Sequence, residues 1–407
     1  MRKIQRLTDD YCFPGFRVLS KLKGVFGDPK ARLITLKRRR RKTICGTCGE
    51  PCRSFYDQET RRVRDLNSGS LRIYLELSIR RVDCPHCQGV HQERLDFLAE
   101  NHRYTRRFAF ETGRRCARSS VKDIARELHL DWHAVKNLDK EYMAEQLRRA
   151  GNPAPKQIGI DEVSIAKGQT YRITVSDLKR KRPIWFGGKD RTMASMDEFY
   201  VWLGPNRASG LKLAVMDMWE PFRLSTVKNA PQAAILFDKF HVLNHLSEAL
   251  DEVRRSEYQR LEAKGDRRFI KGQRYNLLSH WANLKYSGRQ SLKLLFAANK
   301  RLNVAYFLKE SFEQLWDYQR PGCALKFFLN WWDALRWQRL KPYEKFAQMV
   351  FGHWRGIEAY CQPENKVSLG FVEGLNNKTR VIQRRAYGLR DEEYLRLKVL
   401  TMTLPLI

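Results

Sequence analysis

The chain has 407 residues, and 77 Lys and Arg against 45 Asp and Glu give a formal charge of +32 at pH 7. The length exceeds one hydrophobic core, since domains run roughly 100–200 residues, and an apolar fraction of 43% with 12% aromatics excludes a wholly disordered chain. No run approaches the roughly 18 apolar residues of a membrane helix, which excludes a helical membrane protein, and a positive excess this large is sustained where a polyanion lies against the surface, nucleic acid first.

The basic N-terminus has no apolar segment behind it, so a soluble cytoplasmic protein is expected, nucleoid-associated when bound to DNA and with no membrane or small-molecule partner. Residues 1–50 carry 14 basic and 4 acidic side chains, including the run Lys37, Arg38, Arg39, Arg40, Arg41 and Lys42. Such a run is usually a solvated segment, but just before a cysteine doublet it could equally supply phosphate contacts. Two doublets follow, Cys45-Gly-Thr-Cys48 and Cys84-Pro-His-Cys87, with 35 residues between them. A two-residue spacer lets both thiolates of a doublet reach one ion, so the pattern predicts a tetrahedral Zn²⁺ site in a ribbon. Residues Leu71–Ile79 read as a strand entering the second knuckle. Cys52, His86 and His91 are spare donors nearby, whereas Cys12, Cys116, Cys323 and Cys361 are expected to be buried thiols.

From Thr105 the pattern turns helical. Val121–Leu130 followed by Asp131–Leu138 has apolar residues at spacings that fit two short packed helices, with Ser120 and Asp131 as N-caps. This is a helix-turn-helix whose second helix, carrying Lys136, would enter a major groove; a plain helical hairpin has the same apolar pattern. Asn152-Pro-Ala-Pro155 marks a linker.

Beyond it, Gln157–Ile165, Tyr171–Ser176 and Pro183–Phe186 predict three strands, then a helix near 194–203, a strand Leu211–Met216, a helical stretch, and a strand Ala233–Phe237. That order suits a mixed sheet with helices on both faces, as in a ribonuclease-H-like domain. From His241 to about Glu364 the chain reads as helical and rich in tryptophan: most of Trp281, Trp316, Trp331, Trp332 and Trp337 are expected to be core, with any exposed ring able to stack on unpaired bases.

Carboxylates carry the expected chemistry. Asp161 lies within an apolar strand and Asp217 at the end of another, where open sheets place their sites. In 371–386, Glu373, Asn377, Arg380 and Arg384 project within about 60° of one another, with Leu375, Thr379, Ile382 and Ala386 opposite, so one face packs on the sheet edge and the other meets a phosphate backbone. Two Mg²⁺ or Mn²⁺ ions held by Asp161, Asp217 and Glu373 would suit in-line phosphoryl displacement. Asp238, with His241 three residues on, is a rival or a supporting pair, and Glu162, Asp177 and Glu220 are further alternatives.

The order of two cysteine doublets, helix-turn-helix, Ile158-Gly-Ile-Asp-Glu162, Met216-Asp-Met-Trp219, Asp238-Lys-Phe-His241, Glu373-Gly-Leu-Asn-Asn-Lys378 and Arg384-Arg-Ala-Tyr-Gly388 resembles bacterial insertion-sequence transposases of the ISL3 family over almost the whole chain. The resemblance implies a ribonuclease-H-like core split by a helical insertion, a divalent-metal requirement, binding to terminal inverted repeats and target DNA, and a DDE triad falling on Asp161, Asp217 and Glu373. Gly187–Arg191 departs from the acidic-Gly-Arg turn of that family. The expected domains are a zinc ribbon at 1–100, a helix-turn-helix at 101–152, a catalytic core at 153–240 and 366–407, and a helical insertion at 241–365. The expected activity is cleavage at the element ends and joining of the 3′-hydroxyls to target DNA by a synaptic homodimer. A catalytically inactive DNA-binding regulator and a nuclease without strand transfer are the alternatives.

Overall fold

The computed structural model describes residues 7–39, 42–166, 170–263, 268–367, 370–386 and 389–407. The chain divides into two compact units, residues 1–151 with 385–407, and residues 152–384.

The first unit opens with strands β1 (Phe16–Val25) and β2 (Asp28–Arg38) and a two-stranded ribbon of β3 (Thr43–Ile44) and β4 (Pro51–Cys52). Then come β5 (Asp57–Ser68), β6 (Leu71–Cys84) and β7 (Gly89–Gln92). Five of these strands form one sheet in the order β1-β2-β6-β5, with β7 beside β6. The strand expected at 71–79 runs on into Cys84: alternate residues Ile73, Leu75, Leu77 and Ile79 face the core, and after a change of phase Val82 and Cys84 are buried among the cysteines. The paired strands on either side of it are not apparent in the sequence, where basic residues interrupt the apolar alternation. Arg40 and Arg41 of the basic run lie outside the described residues.

Helices α1 (Arg106–Cys116), α2 (Val121–Leu128) and α3 (Trp132–Ala150) follow. Both expected N-caps form: Ser120 accepts from the Asp123 N–H and Asp131 from the His133 N–H. Helix α3 does not stop near Leu138, since Tyr142 and Met143 are buried against Tyr394 and Leu397 of the chain's last helix. Helices α1 and α3 approach so closely that a Cβ on Gly113 would stand 2.3 Å from Cβ of Tyr142. Gly113→Ala is expected to destabilise this unit by about 3 kcal/mol, read as a lowered thermal midpoint, because neither helix can yield without unpacking the other.

In the second unit, β8 (Gln157–Ala166), β9 (Thr170–Asp177) and β10 (Arg182–Gly187) form an antiparallel meander. Helices α4 (Met193–Leu203) and α5 (Pro205–Ala208), β11 (Leu213–Met216), α6 (Glu220–Asn229) and β12 (Ala234–Phe237) follow. The sheet order is β10-β9-β8-β11-β12, with β8, β11 and β12 parallel. The chain then continues through α7 (Lys239–Glu262), α8 (Arg274–Leu278), α9 (Tyr286–Ala298), α10 (Lys300–Phe312), α11 (Pro321–Asp333), α12 (Lys341–Gly352) and α13 (Trp354–Glu358) to α14 (Gly370–Arg385). Among the described residues no strand occurs in this stretch. Leu246, Phe312, Trp316, Trp331 and Phe346 share one core with Ile158, Ile173 and Phe199 of the sheet and α4. Trp281 and Trp332 are partly buried against the same core and Trp337 is exposed, so most of the five tryptophans are core, as expected.

On the opposite sheet face Val372 packs with Leu178, Leu213, Val215 and Leu236, so α14 covers a face rather than the edge. As the projection required, Leu375, Thr379 and Ile382 are buried while Glu373, Asn377, Arg380 and Arg384 are exposed. Ala386, placed by the same projection on the buried side, is exposed past the helix end.

Of residues 366–407, expected as the C-terminal part of the core, those from Arg385 on pack with the first compact unit. Helix α15 (Glu392–Thr401) belongs to the first unit, where buried Asp139 of α3 accepts from the Tyr394 hydroxyl and lies 2.6 Å from Lys398 Nζ. Burial pushes the Asp139 carboxyl up, so its partners on α15 are what make that position tolerable. The expected boundary between ribbon and helix-turn-helix is not a boundary between compact units. Asp65 on β5, fully buried, accepts from Thr105 Oγ1 at 2.7 Å and Arg107 Nε at 2.8 Å, stapling α1 to the sheet.

Candidate active site and metal centre

Strand register brings three aspartates together. In the parallel ladders Val215 pairs with Gly159 and Met216 with Phe237. Continuing these registers, with neighbouring strands about 4.8 Å apart, Asp161 on β8 comes level with Asp217 and Asp238, the residues that directly follow β11 and β12. All three line one small depression together with His241 and Val372.

Backbone donors tether each aspartate. Asp161 Oδ1 accepts from the Glu162 N–H at 2.7 Å, Asp217 Oδ1 from the Met218 N–H at 2.6 Å, and Asp238 Oδ1 from the Phe240 N–H at 2.8 Å, where it caps α7. The other oxygens meet side chains. Asn376 Nδ2 donates to Asp161 Oδ2 at 2.6 Å, and His241 stands between the last two, Nδ1 3.6 Å from Asp217 Oδ2 and Nε2 3.9 Å from Asp238 Oδ2. Burial raises the Asp161 and Asp238 carboxyls above their usual range, with neighbouring carboxylates adding to the effect at Asp238. Glu373 is among those neighbours, so α14 carries it into electrostatic range of the cluster while its side chain stays exposed.

Among the described residues, no three of these His, Asp and Glu groups bring one ligand atom each within 4.8 Å of one another. Of the alternatives, Glu162 pairs with Arg191 at 2.6 Å, Asp177 accepts from the Arg180 N–H, and Glu220 pairs with Arg223. Two participants escaped the sequence reading. Asn376 sits on the apolar side of its helix, a placement whose cost signals a buried polar partner. Arg191 stacks over Trp219, whose indole N–H donates to the Arg191 carbonyl at 2.7 Å, linking the loops that follow β10 and β11.

In the first unit Cys45, Cys48, Cys84 and Cys87 each bring a sulfur within 4.8 Å of the others. The backbone N–H groups of Cys48 and Thr47 hold the Cys45 thiol down to about 6, as expected of a knuckle built to carry thiolate. Cys52 is buried beside the four without joining them, and burial raises its thiol, while His86 and His91 are not in the cluster. Cys116 and Cys361 are buried as expected, but Cys12 and Cys323 are exposed.

The expected phosphate contacts separate into two kinds. Lys37, Arg39 and Lys42 are exposed. Arg38 instead ion-pairs with buried Glu93 and donates to the Ser78 carbonyl, and Lys136 lies 2.6 Å from Asp391 and over the Tyr394 ring, so these two are engaged in holding the fold. Arg380 bonds Asn377 Oδ1 at 3.1 Å on an exposed helix face.

Comparison with known proteins agrees with this layout. Residues 41–87 match a model described as the zinc-finger of transposase IS204/IS1001/IS1096/IS1165, residues 93–143 the helix-turn-helix domain of transposase family ISL3, and residues 158–399 the ISL3 transposase domain. The transposase for insertion sequence element IS1001 of Bordetella parapertussis is 34% identical, covering 91% of this chain and 92% of its own. The transposase for insertion sequence element IS1557 of Mycobacterium tuberculosis (strain ATCC 25618 / H37Rv) is 28% identical, covering 90% of this chain and 87% of its own. With a zinc ribbon whose four cysteines converge, a helix-turn-helix and a mixed α/β domain in the matching order, the chain belongs to the ISL3 family of insertion-sequence transposases.

Proposed function

We propose that the protein binds the terminal inverted repeats of its element, cleaves the ends and joins the freed 3′-hydroxyls to target DNA, using Asp161, Asp217 and Glu373 as a DDE triad. The observation that carries this reading is the convergence of Asp161 on β8 with Asp217 and Asp238 just past the ends of β11 and β12, with α14 bonded to Asp161 through Asn376. The strand order β10-β9-β8-β11-β12 supports a ribonuclease-H-like core, and the helices between β12 and α14 are read as its insertion.

Carboxylate oxygens are hard donors that suit Mg²⁺ or Mn²⁺ better than a soft metal, and burial disfavours the ionised form of Asp161 and of neighbouring Asp238 where no cation offsets it. When bound, such ions supply charge neutralisation for the attacking and leaving oxygens. The chain's own groups orient the site. The Glu162 N–H and the Asn376 amide fix both oxygens of Asp161, and His241 spaces Asp217 from Asp238. In cleavage a water oxygen forms a new P–O bond as the 3′-oxygen leaves, taking up a proton; in joining that hydroxyl attacks a target phosphodiester in the same way. Exposed Arg380 and Arg384 on α14 are read as phosphate contacts, as are Lys37, Arg39, Lys42 and the undescribed Arg40 and Arg41. Synapsis of two ends calls for a homodimer.

Incubation with a labelled element end, Mg²⁺ and a target plasmid tests the reading: joined products support it, cleavage alone indicates a nuclease, and binding alone a regulator. Asn376→Ala is expected to slow cleavage roughly 10–100-fold and to raise the divalent-cation concentration needed, since it frees one Asp161 oxygen without removing a ligand. Unchanged cation dependence would show that Asn376 only packs.

A further inference from the structure

The hairpin of β1 and β2 lies before residue 41, where the first matched family model begins. Its root is tied to the sheet. Strand β2 pairs with β6 from Ala31↔Arg72 to Thr35↔Glu76, Arg72 ion-pairs with Asp28, and Lys23 Nζ lies 2.9 Å from Glu76. Toward the turn this support ends, because β6 starts at Leu71 and residues 24–30 run beyond the ladder. Strand β1 is the sheet's edge, and from Leu19 to Gly24 every residue is exposed.

Two features of this arm are unusual together. Leu22 is 65% exposed and Phe26, in the turn before Gly27 at φ +79°, is wholly exposed. A bare aromatic ring forgoes the stabilisation that burial would return. Along the arm, from Arg17 at its root to Lys21 and Lys30 nearer the turn, these cations are exposed and make no ion pair among the described residues, while the arm's acidic residue, Asp28, is already neutralised by Arg72. A matching partner presents anionic groups flanking an apolar slot one ring wide. The groove of a nucleic-acid duplex does so, since phosphates line it and base steps admit apolar wedges. A second copy of the chain suits it less, because each copy would bring exposed Arg17, Lys21 and Lys30 to the shared edge.

We propose that the β1–β2 hairpin is a DNA-contacting arm, with Arg17, Lys21 and Lys30 on phosphates and Phe26 wedged at a base step. The proposal rests on the DNA-binding reading of the chain and adds to it a contact outside the zinc ribbon and the helix-turn-helix. The test uses the full chain with p-benzoylphenylalanine in place of Phe26, irradiated with a labelled duplex carrying the element's terminal sequence. Crosslinking to DNA, suppressed by unlabelled duplex, is the expected result. Phe26→Ala is expected to weaken binding about tenfold with an unchanged thermal midpoint, as the ring has no neighbour to lose. Lys21→Ala with Lys30→Ala is expected to make the slope of log affinity against log salt shallower by about two. If the unsubstituted chain binds the duplex but the ring crosslinks only to a second chain, or to nothing, the arm is refuted while the DNA-binding reading stands. Failure of the unsubstituted chain to bind overturns both.

Discussion

Asp161→Asn is expected to lower cleavage and joining at least about a thousandfold while leaving end binding within roughly a factor of two. The exchange keeps size and shape, so the packing of β8 against β9 and β11 is untouched. It also removes a carboxylate that burial disfavours, so the thermal midpoint should hold or rise even though one of the Glu162 and Asn376 donors loses its best acceptor. A fall in activity with stability retained is the signature of a group used in chemistry. Glu373→Gln is expected to behave alike, and because its side chain is exposed, no folding cost competes with that result. Asp238→Asn discriminates: a loss equal to that of Glu373→Gln would make Asp238 a ligand, whereas a partial loss fits the capping role it plays at α7. Retained joining by Glu373→Gln removes Glu373 from the triad.

Removal of zinc is expected to abolish end binding. The protein should carry about one zinc per chain, lost on Cys84→Ser, and a structural zinc of this type contributes roughly 10–16 kcal/mol in small ribbons. Cys84 ends β6 and pairs with Gly89, while Cys45 bridges Glu93, so the ion fastens the ribbon to the central strand rather than closing an isolated loop. Without it, four sulfurs within 4.8 Å of one another lose the charge that holds them together, and strands β3, β4 and β7 lose their anchor. Metal analysis with duplex binding before and after chelation checks this; unchanged binding by a zinc-free chain would refute it.

Much of the site was legible because its signals are local. A two-residue spacer predicts a thiolate pair wherever it occurs, Ser120 and Asp131 cap helices through their own neighbours, and the 3.6-residue period of α14 sorted exposed Glu373, Asn377, Arg380 and Arg384 from buried Leu375, Thr379 and Ile382. The change from helical to alternating pattern after Pro155 located the strands, with limits within two residues for the meander.

What the sequence determined by itself, then, is the order of the parts and the residue types able to do chemistry: four cysteines, two strand aspartates and a helix carrying Glu373. Tertiary structure decided which of these meet. It set Asp238 level with Asp217, placed Asn376 on Asp161, drew Arg38 and Lys136 out of the pool of free cations, assigned α15 to the first unit and left Phe26 bare. The physical reason is separation along the chain. Asn376 lies 215 residues from Asp161, and Arg38 lies 55 from Glu93. Composition fixes that a buried charge must find a partner, but only the packed strands and helices determine which partner is within reach.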